Sequence, residues 1–100
     1  MSEFSEPFVV EASFRLPGLG LLVLPAAPEP SWLTAYSLHT ALTIVLPPSI
    51  QHPPSVIGTI EEISHDSQSQ RRALLLDFAP DTSLPSGIYL QASKISSDLQ

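Results

Sequence analysis

One hundred residues, 43% of them hydrophobic and 14% charged, make a single folded domain and not a disordered chain, which requires low hydrophobicity and high charge. Four basic residues against ten acidic ones, a formal net charge of −6, exclude nucleic-acid binding and anionic-membrane binding as main roles, because both rest on clustered Lys and Arg. The absence of cysteine excludes disulfides and thiolate zinc sites, and it fits a cytoplasmic protein.

Eleven prolines are spread from Pro7 to Pro85. Interior proline removes a helix hydrogen bond and clashes with the preceding turn, so long helices are not expected. Between the prolines the apolar residues alternate with period two, which is the pattern of half-buried strands. Residues 1–7 are expected to fray. The first strand spans Phe8 to Leu16, with Phe8, Val10, Ala12, Phe14 and Leu16 on one face and Val9, Glu11, Ser13 and Arg15 on the other. Pro17-Gly18-Leu19-Gly20 reverses the chain, because proline presets φ and glycine takes a positive φ without steric cost. Leu21 to Leu24 follows as a short apolar strand.

Leu16 to Ala27 has the outline of a signal-peptide core. Glu3, Glu6 and Glu11 precede it, however, where a secretory signal needs a basic start. No apolar run approaches the roughly 20 residues that span a bilayer, so no membrane segment is expected. Pro25 to Pro30 forms a semi-rigid loop. Ser31 to Tyr36 reads as one helical turn with Ser31 as N-cap, or as a short extended piece.

The next strand runs from Leu38 to Leu46, with Leu38, Thr40, Leu42, Ile44 and Leu46 opposite His39, Ala41, Thr43 and Val45. Pro47-Pro48 stops it, and Ser49 to Pro54 is a loop. Val56 to Ile63 is a strand interrupted by Gly58, a residue that within a strand often marks a bulge or bend. Ser64 to Gln70 is a polar hairpin loop. Arg71 to Phe78 places Leu74, Leu76 and Phe78 inward. Ala79 to Ser86 holds turn formers, Gly87 to Ser93 closes the domain, and residues 95–100 fray. Six short strands with regular turn signals predict an all-β domain, a small six-stranded antiparallel barrel over residues 1–100, with a two-sheet sandwich as the alternative.

Several pieces carry a family likeness. Phe14, Gly18 and Gly20 fit an F-x-x-x-G-x-G turn. Leu42-Thr43-Ile44-Val45-Leu46-Pro47, Val56-Ile57-Gly58-Thr59-Ile60 and Leu84-Pro85-Ser86-Gly87-Ile88-Tyr89-Leu90 follow in the same order. In this the chain resembles the second-domain β-barrel of the translational GTPases, the fold of elongation factor Tu domain two. The resemblance implies a barrel. It implies no GTPase domain, because no G-x-x-x-x-G-K-[ST] run occurs. Leu24-Pro25 and the segment Pro28 to Thr34 depart from the family pattern. No contact to tRNA or ribosome and no functional residue is therefore carried over.

Candidate chemistry is sparse. His39, His52 and His65 stand 13 residues apart, with no H-x-H or H-x-x-x-H pair to converge on a metal. His65-Asp66-Ser67 sits in a polar loop, where adjacent residues do not reach triad geometry. Glu61 and Glu62 are neighbours on a strand and face opposite ways, so they form no acid–base pair. No catalytic residue, metal ligand or cofactor is expected. Arg71-Arg72 reads as charge that discourages edge pairing. Trp32 and Tyr36, at i and i+4, either plug one barrel end or form a partner-binding patch. The outer positions Ala41, Thr43, Val45 and Ala73 are uncharged.

The expectation is a non-enzymatic, acidic protein-binding module for a basic partner, as an immunity or inhibitor protein would be. Trp32, Tyr36, Glu61, Glu62 and Asp66 are its candidate contacts. The alternative is an assembly subunit that forms a homo-oligomer through a weakly charged sheet face.

Overall fold

The computed structural model of the protein describes residues 6–47, 55–64, 70–78 and 84–94. Six strands, β1 (Phe8–Leu16), β2 (Gly20–Pro25), β3 (Ala41–Val45), β4 (Ser55–Ser64), β5 (Gln70–Leu76) and β6 (Tyr89–Lys94), and one short helix, α1 (Trp32–Ala35), make up the described elements. The strands close into an antiparallel barrel in the order β1-β2-β5-β4-β3-β6, so the barrel and not the two-sheet sandwich is formed. A closed barrel leaves no strand edge to pair with another chain.

The alternation places Leu42, Ile44, Val56, Ile60, Leu74, Leu76, Leu90 and Ala92 inside. These join Phe8, Val10, Leu21 and Val23 in one core. The β1–β2 turn follows the proline–glycine chemistry. The Leu19 amide donates to the Leu16 carbonyl at 2.9 Å, and Gly18, with φ +81°, takes the position that a type II turn reserves for glycine. Gly20 is held by a close approach as well: a Cβ there would run into the Leu76 carbonyl oxygen.

Four expectations need correction. First, β1 carries a bulge: Val10 pairs with Pro25 but Ala12 pairs with Leu24. The extra residue inverts the alternation. Ser13, paired with inward-facing Val23, takes the inner side, and Arg15, paired with Leu21, follows the same parity but is exposed. Phe14 pairs with Leu22 on the outside; it is 51% exposed while Phe8 is fully buried. Second, Gly58 marks no bulge, since register is continuous through it on both sides. It faces inward, and a Cβ there would lie 2.7 Å from Ile44 Cγ1. Glycine at this point makes room for Ile44.

Third, β3 starts at Ala41 and not at Leu38. His39 has φ +70°, a left-handed conformation that histidine tolerates better than most residues. The Thr40 amide donates to the Ser37 carbonyl at 3.2 Å and closes a turn through Leu38 and His39, and the His39 amide ties that turn to the Ile60 carbonyl of β4 at 2.6 Å. Fourth, β5 lies between β2 and β4, so Arg71 and Arg72 guard no edge. The Arg71 guanidinium donates to the Pro25 carbonyl at 2.7 Å and to Glu11 Oε1 at 3.1 Å, with Glu29 Oε2 3.9 Å away. Arg72 turns to the other side and reaches α1.

Closure is uneven around the barrel. β4 and β5 pair over seven positions, whereas β1 and β6 pair only at Phe8–Leu90 and Val9–Tyr89. The seam is extended by the Val10 amide donating to the Ile88 carbonyl and the Gly87 amide donating to the Val10 carbonyl, at 2.9 and 2.7 Å. Ser13, turned inward by the bulge, adds a side-chain staple. Its hydroxyl donates to the Leu84 carbonyl at 3.1 Å and accepts from the Leu84 amide at 2.9 Å.

Candidate functional surfaces

Helix α1 seals the barrel end at which β1 and β5 begin. Trp32 and Leu33 are both buried, and the Trp32 ring lies 6.2 Å from that of Phe8, tilted by 35°, a separation at which aromatic pairs attract. The indole N–H donates to the Glu6 carbonyl at 2.9 Å, which satisfies its polar atom. Tyr36 is half-buried against the same core. Of the two expectations for this pair, the plug is the arrangement observed for Trp32: at 5% exposure its ring is core and presents no surface.

A helix of four residues has nearly every backbone group unsatisfied by its own ladder, so its ends need outside partners. Ser31 stands at the N-cap but makes no side-chain cap. Glu6 supplies the acceptors from 25 residues away: Oε1 accepts from the Ser31 amide at 2.6 Å and Oε2 from the Ser31 hydroxyl at 2.9 Å. These hydrogen bonds, the backbone one foremost, favour the charged carboxylate and hold its pKa below the usual glutamate value. At the other end the Arg72 guanidinium donates to the Tyr36 carbonyl at 2.8 Å and to the Leu33 carbonyl at 3.4 Å. A cation at a helix C-terminus also meets the negative end of the helix dipole.

Glu61 and Glu62 diverge as expected. Glu61 faces outward on β4 and is held by neighbours: the Thr59 hydroxyl donates to Oε2 at 2.9 Å, and His39 Nδ1 lies 3.2 Å from Oε1. The imidazole and the Thr59 hydroxyl thus meet on the same carboxylate. Among the described residues, no group of three His, Cys, Asp or Glu is placed to hold a metal ion. Glu62 is exposed and pairs in register with Arg72. Asp66, His52, His65 and the His65-Asp66-Ser67 run lie outside the described residues. Trp32 and Tyr36 therefore share the plug and Glu61 stands apart on the wall, so the candidate contacts among the described residues do not form one patch.

The outer wall holds what sequence reasoning missed. Registers align Phe14, Leu22, Leu75, Thr59 and Ala41 side by side across β1, β2, β5, β4 and β3. The next row runs Ile57, Thr43 and Ser93, and the one beyond it Ser55, Val45 and Gln91. None of these residues is charged. Ile57 and Val45 are each 42% exposed. The expected neutrality of Ala41, Thr43 and Val45 belongs to this wall, whereas Ala73 is fully buried and contributes no surface. The signal that was available is the Leu21–Val23 pair: if both are inward, a hairpin ending at Leu16 and Gly20 puts Leu22 and Phe14 outward together.

No helix among the described residues is long and apolar enough to cross a membrane. Comparison with protein-family models, with curated proteins and with solved structures finds no match for the chain.

Proposed function

We propose that the protein is a small, acidic, non-enzymatic protein-binding module that works by surface complementarity. The observation that supports this reading is how the charges are used. Arg71 and Arg72 are tied to backbone carbonyls and to Glu11 within the fold, so the basic doublet is consumed by the protein itself. A chain of net charge −6 then presents a surface that attracts cationic partners and accelerates their encounter. An immunity or inhibitor protein directed at a basic toxin or nuclease has this character. The resemblance to the second domain of translational GTPases remains a proposal about the barrel alone, and no residue role follows from it.

The test is affinity capture from the native host at low and at raised salt, followed by mass spectrometry. A specific basic protein, enriched at low salt, is the expected outcome; recovery of no specific partner would overturn the reading. The exposed, uncharged Ile57 and Val45 support a second reading, an assembly subunit. That reading requires a stable dimer or larger species in sedimentation of the purified chain.

A further inference from the structure

We propose that the partner docks on the outer wall formed by Phe14, Leu22, Leu75 and Ile57, and that it presents an apolar segment flanked by basic side chains. The inference rests on the protein-binding reading and locates its surface. Phe14, Leu22 and Leu75 are lateral neighbours on three successive strands, at the spacing where outward side chains touch. Ile57 lies on β4, beside the Thr59 that continues their row. Exposed Leu19, in the β1–β2 turn, stands beyond Phe14. Scattered exposed apolar residues are ordinary on a protein surface; a connected group of them marks contact.

Charge decides the occupant. The wall itself is neutral, and carboxylates stand at both ends of its β4 side. Glu61 lies two residues beyond Thr59, and Asp77 is fixed next to Ile57 by its amide, which donates to the Ile57 carbonyl at 2.8 Å. Glu61 is oriented by Thr59. The nearest outward cation on β5, Arg71, is held by Glu11 and the Pro25 carbonyl. An apolar strip between acidic flanks is complementary to a cationic amphipathic segment. A second copy of this chain fits less well, because it would bring its own net charge of −6 to a neutral face with acidic margins.

The probe is a synthetic amphipathic peptide of leucine and lysine, with its leucine–glutamate counterpart as control, titrated into the isotope-labelled protein and followed by backbone amide shifts. Shifts centred on Phe14, Leu22, Ile57 and Leu75 with the lysine peptide alone are expected. Affinity should fall about tenfold in Phe14→Lys and about two- to threefold in Asp77→Asn, with the second loss vanishing at high salt. Equal binding of both peptides, shifts centred elsewhere, or no binding overturns the proposal. So does concentration-dependent self-association that Phe14→Lys abolishes, which would make the occupant a second copy. Capture from native-host lysate with the wild type and Phe14→Lys separates the two levels. A partner retained equally by both proteins leaves the module reading standing and removes this wall as its site. No partner with either removes both.

Discussion

Two apolar regions of this barrel are built from similar residues and do opposite things. At the plugged end, Trp32, Leu33 and Phe8 are buried, and the polar groups they bring with them are satisfied by Glu6 and Arg72. On the wall, Phe14 and Ile57 keep about half of their surface in water, and their neighbours Leu22 and Leu75 are half-buried. The difference lies in what stands opposite. The plug closes on itself because a helix lies over the barrel mouth, while the wall has no described element above it. Apolar character alone therefore separates neither core from surface nor structure from binding.

Substitution should split the two regions sharply. Trp32→Ala is expected to cost about 3–5 kcal/mol, the range for emptying a buried aromatic site. Phe14→Ala should cost about 1 kcal/mol or less, because half of the ring is already in water. Urea unfolding of both variants measures the gap. Equal losses would mean that the wall is covered in solution and that the contrast is false. Gly58→Ala sharpens the same contrast from inside the barrel. The added methyl meets Ile44 and Leu76 side chains at 2.7 and 3.0 Å, an overpacking expected to cost about 1–3 kcal/mol. The same denaturation curves report it. A neutral result would show that Ile44 has room to move.

The barrel was legible because inward positions recur every second residue: Leu42, Ile44 and Leu46, or Leu74 and Leu76, are read correctly by alternation alone. What failed was parity, and it failed at one point. A bulge between Val10 and Ala12 has no residue signature in Val10-Glu11-Ala12 that separates it from regular strand, yet it reverses the side chains that follow it in β1. Phe14 was misplaced for that reason. The roles of Glu6 and Arg72 were hidden for another: each acts on α1 across a gap of more than twenty residues in sequence. A cap supplied from elsewhere leaves no local motif, whereas Ser31 looked like a cap from its neighbours and makes none.

Arg72 tests how far the plug depends on that remote partner. Arg72→Leu keeps the aliphatic stem and removes both donors from the Leu33 and Tyr36 carbonyls. A loss of about 1–3 kcal/mol is expected, since charge-assisted bonds to partly buried carbonyls are at the stronger end of the range. Amide hydrogen exchange should accelerate in α1 more than in β3. Uniform acceleration would mean that Arg72 supports the barrel as a whole and not its lid.

The smallest effect is the most specific. The Glu6 carboxylate is charged in its bonds to Ser31, and its folded-state pKa lies below the usual glutamate value. Protons therefore bind the unfolded chain more readily than the folded one across the window between the two pKa values. The contribution of Glu6 to stability is present above the unfolded-state pKa and disappears as pH falls through the lower folded-state pKa. Glu6→Gln keeps an acceptor for one bond, weakens both, and cannot titrate. The wild type should exceed this variant in thermal stability near neutral pH, and the two melting temperatures should converge under acid. The group is fully exposed, so salt should narrow the neutral-pH difference as well. The absence of a gap at every pH would show that Glu6 holds α1 through its backbone carbonyl on Trp32, which the variant keeps, and not through its charge. Phe14 and its register neighbours Leu22 and Leu75 do not titrate, so this substitution should show no matching dependence: Phe14→Ala and the wild type should keep a constant separation over the same pH range.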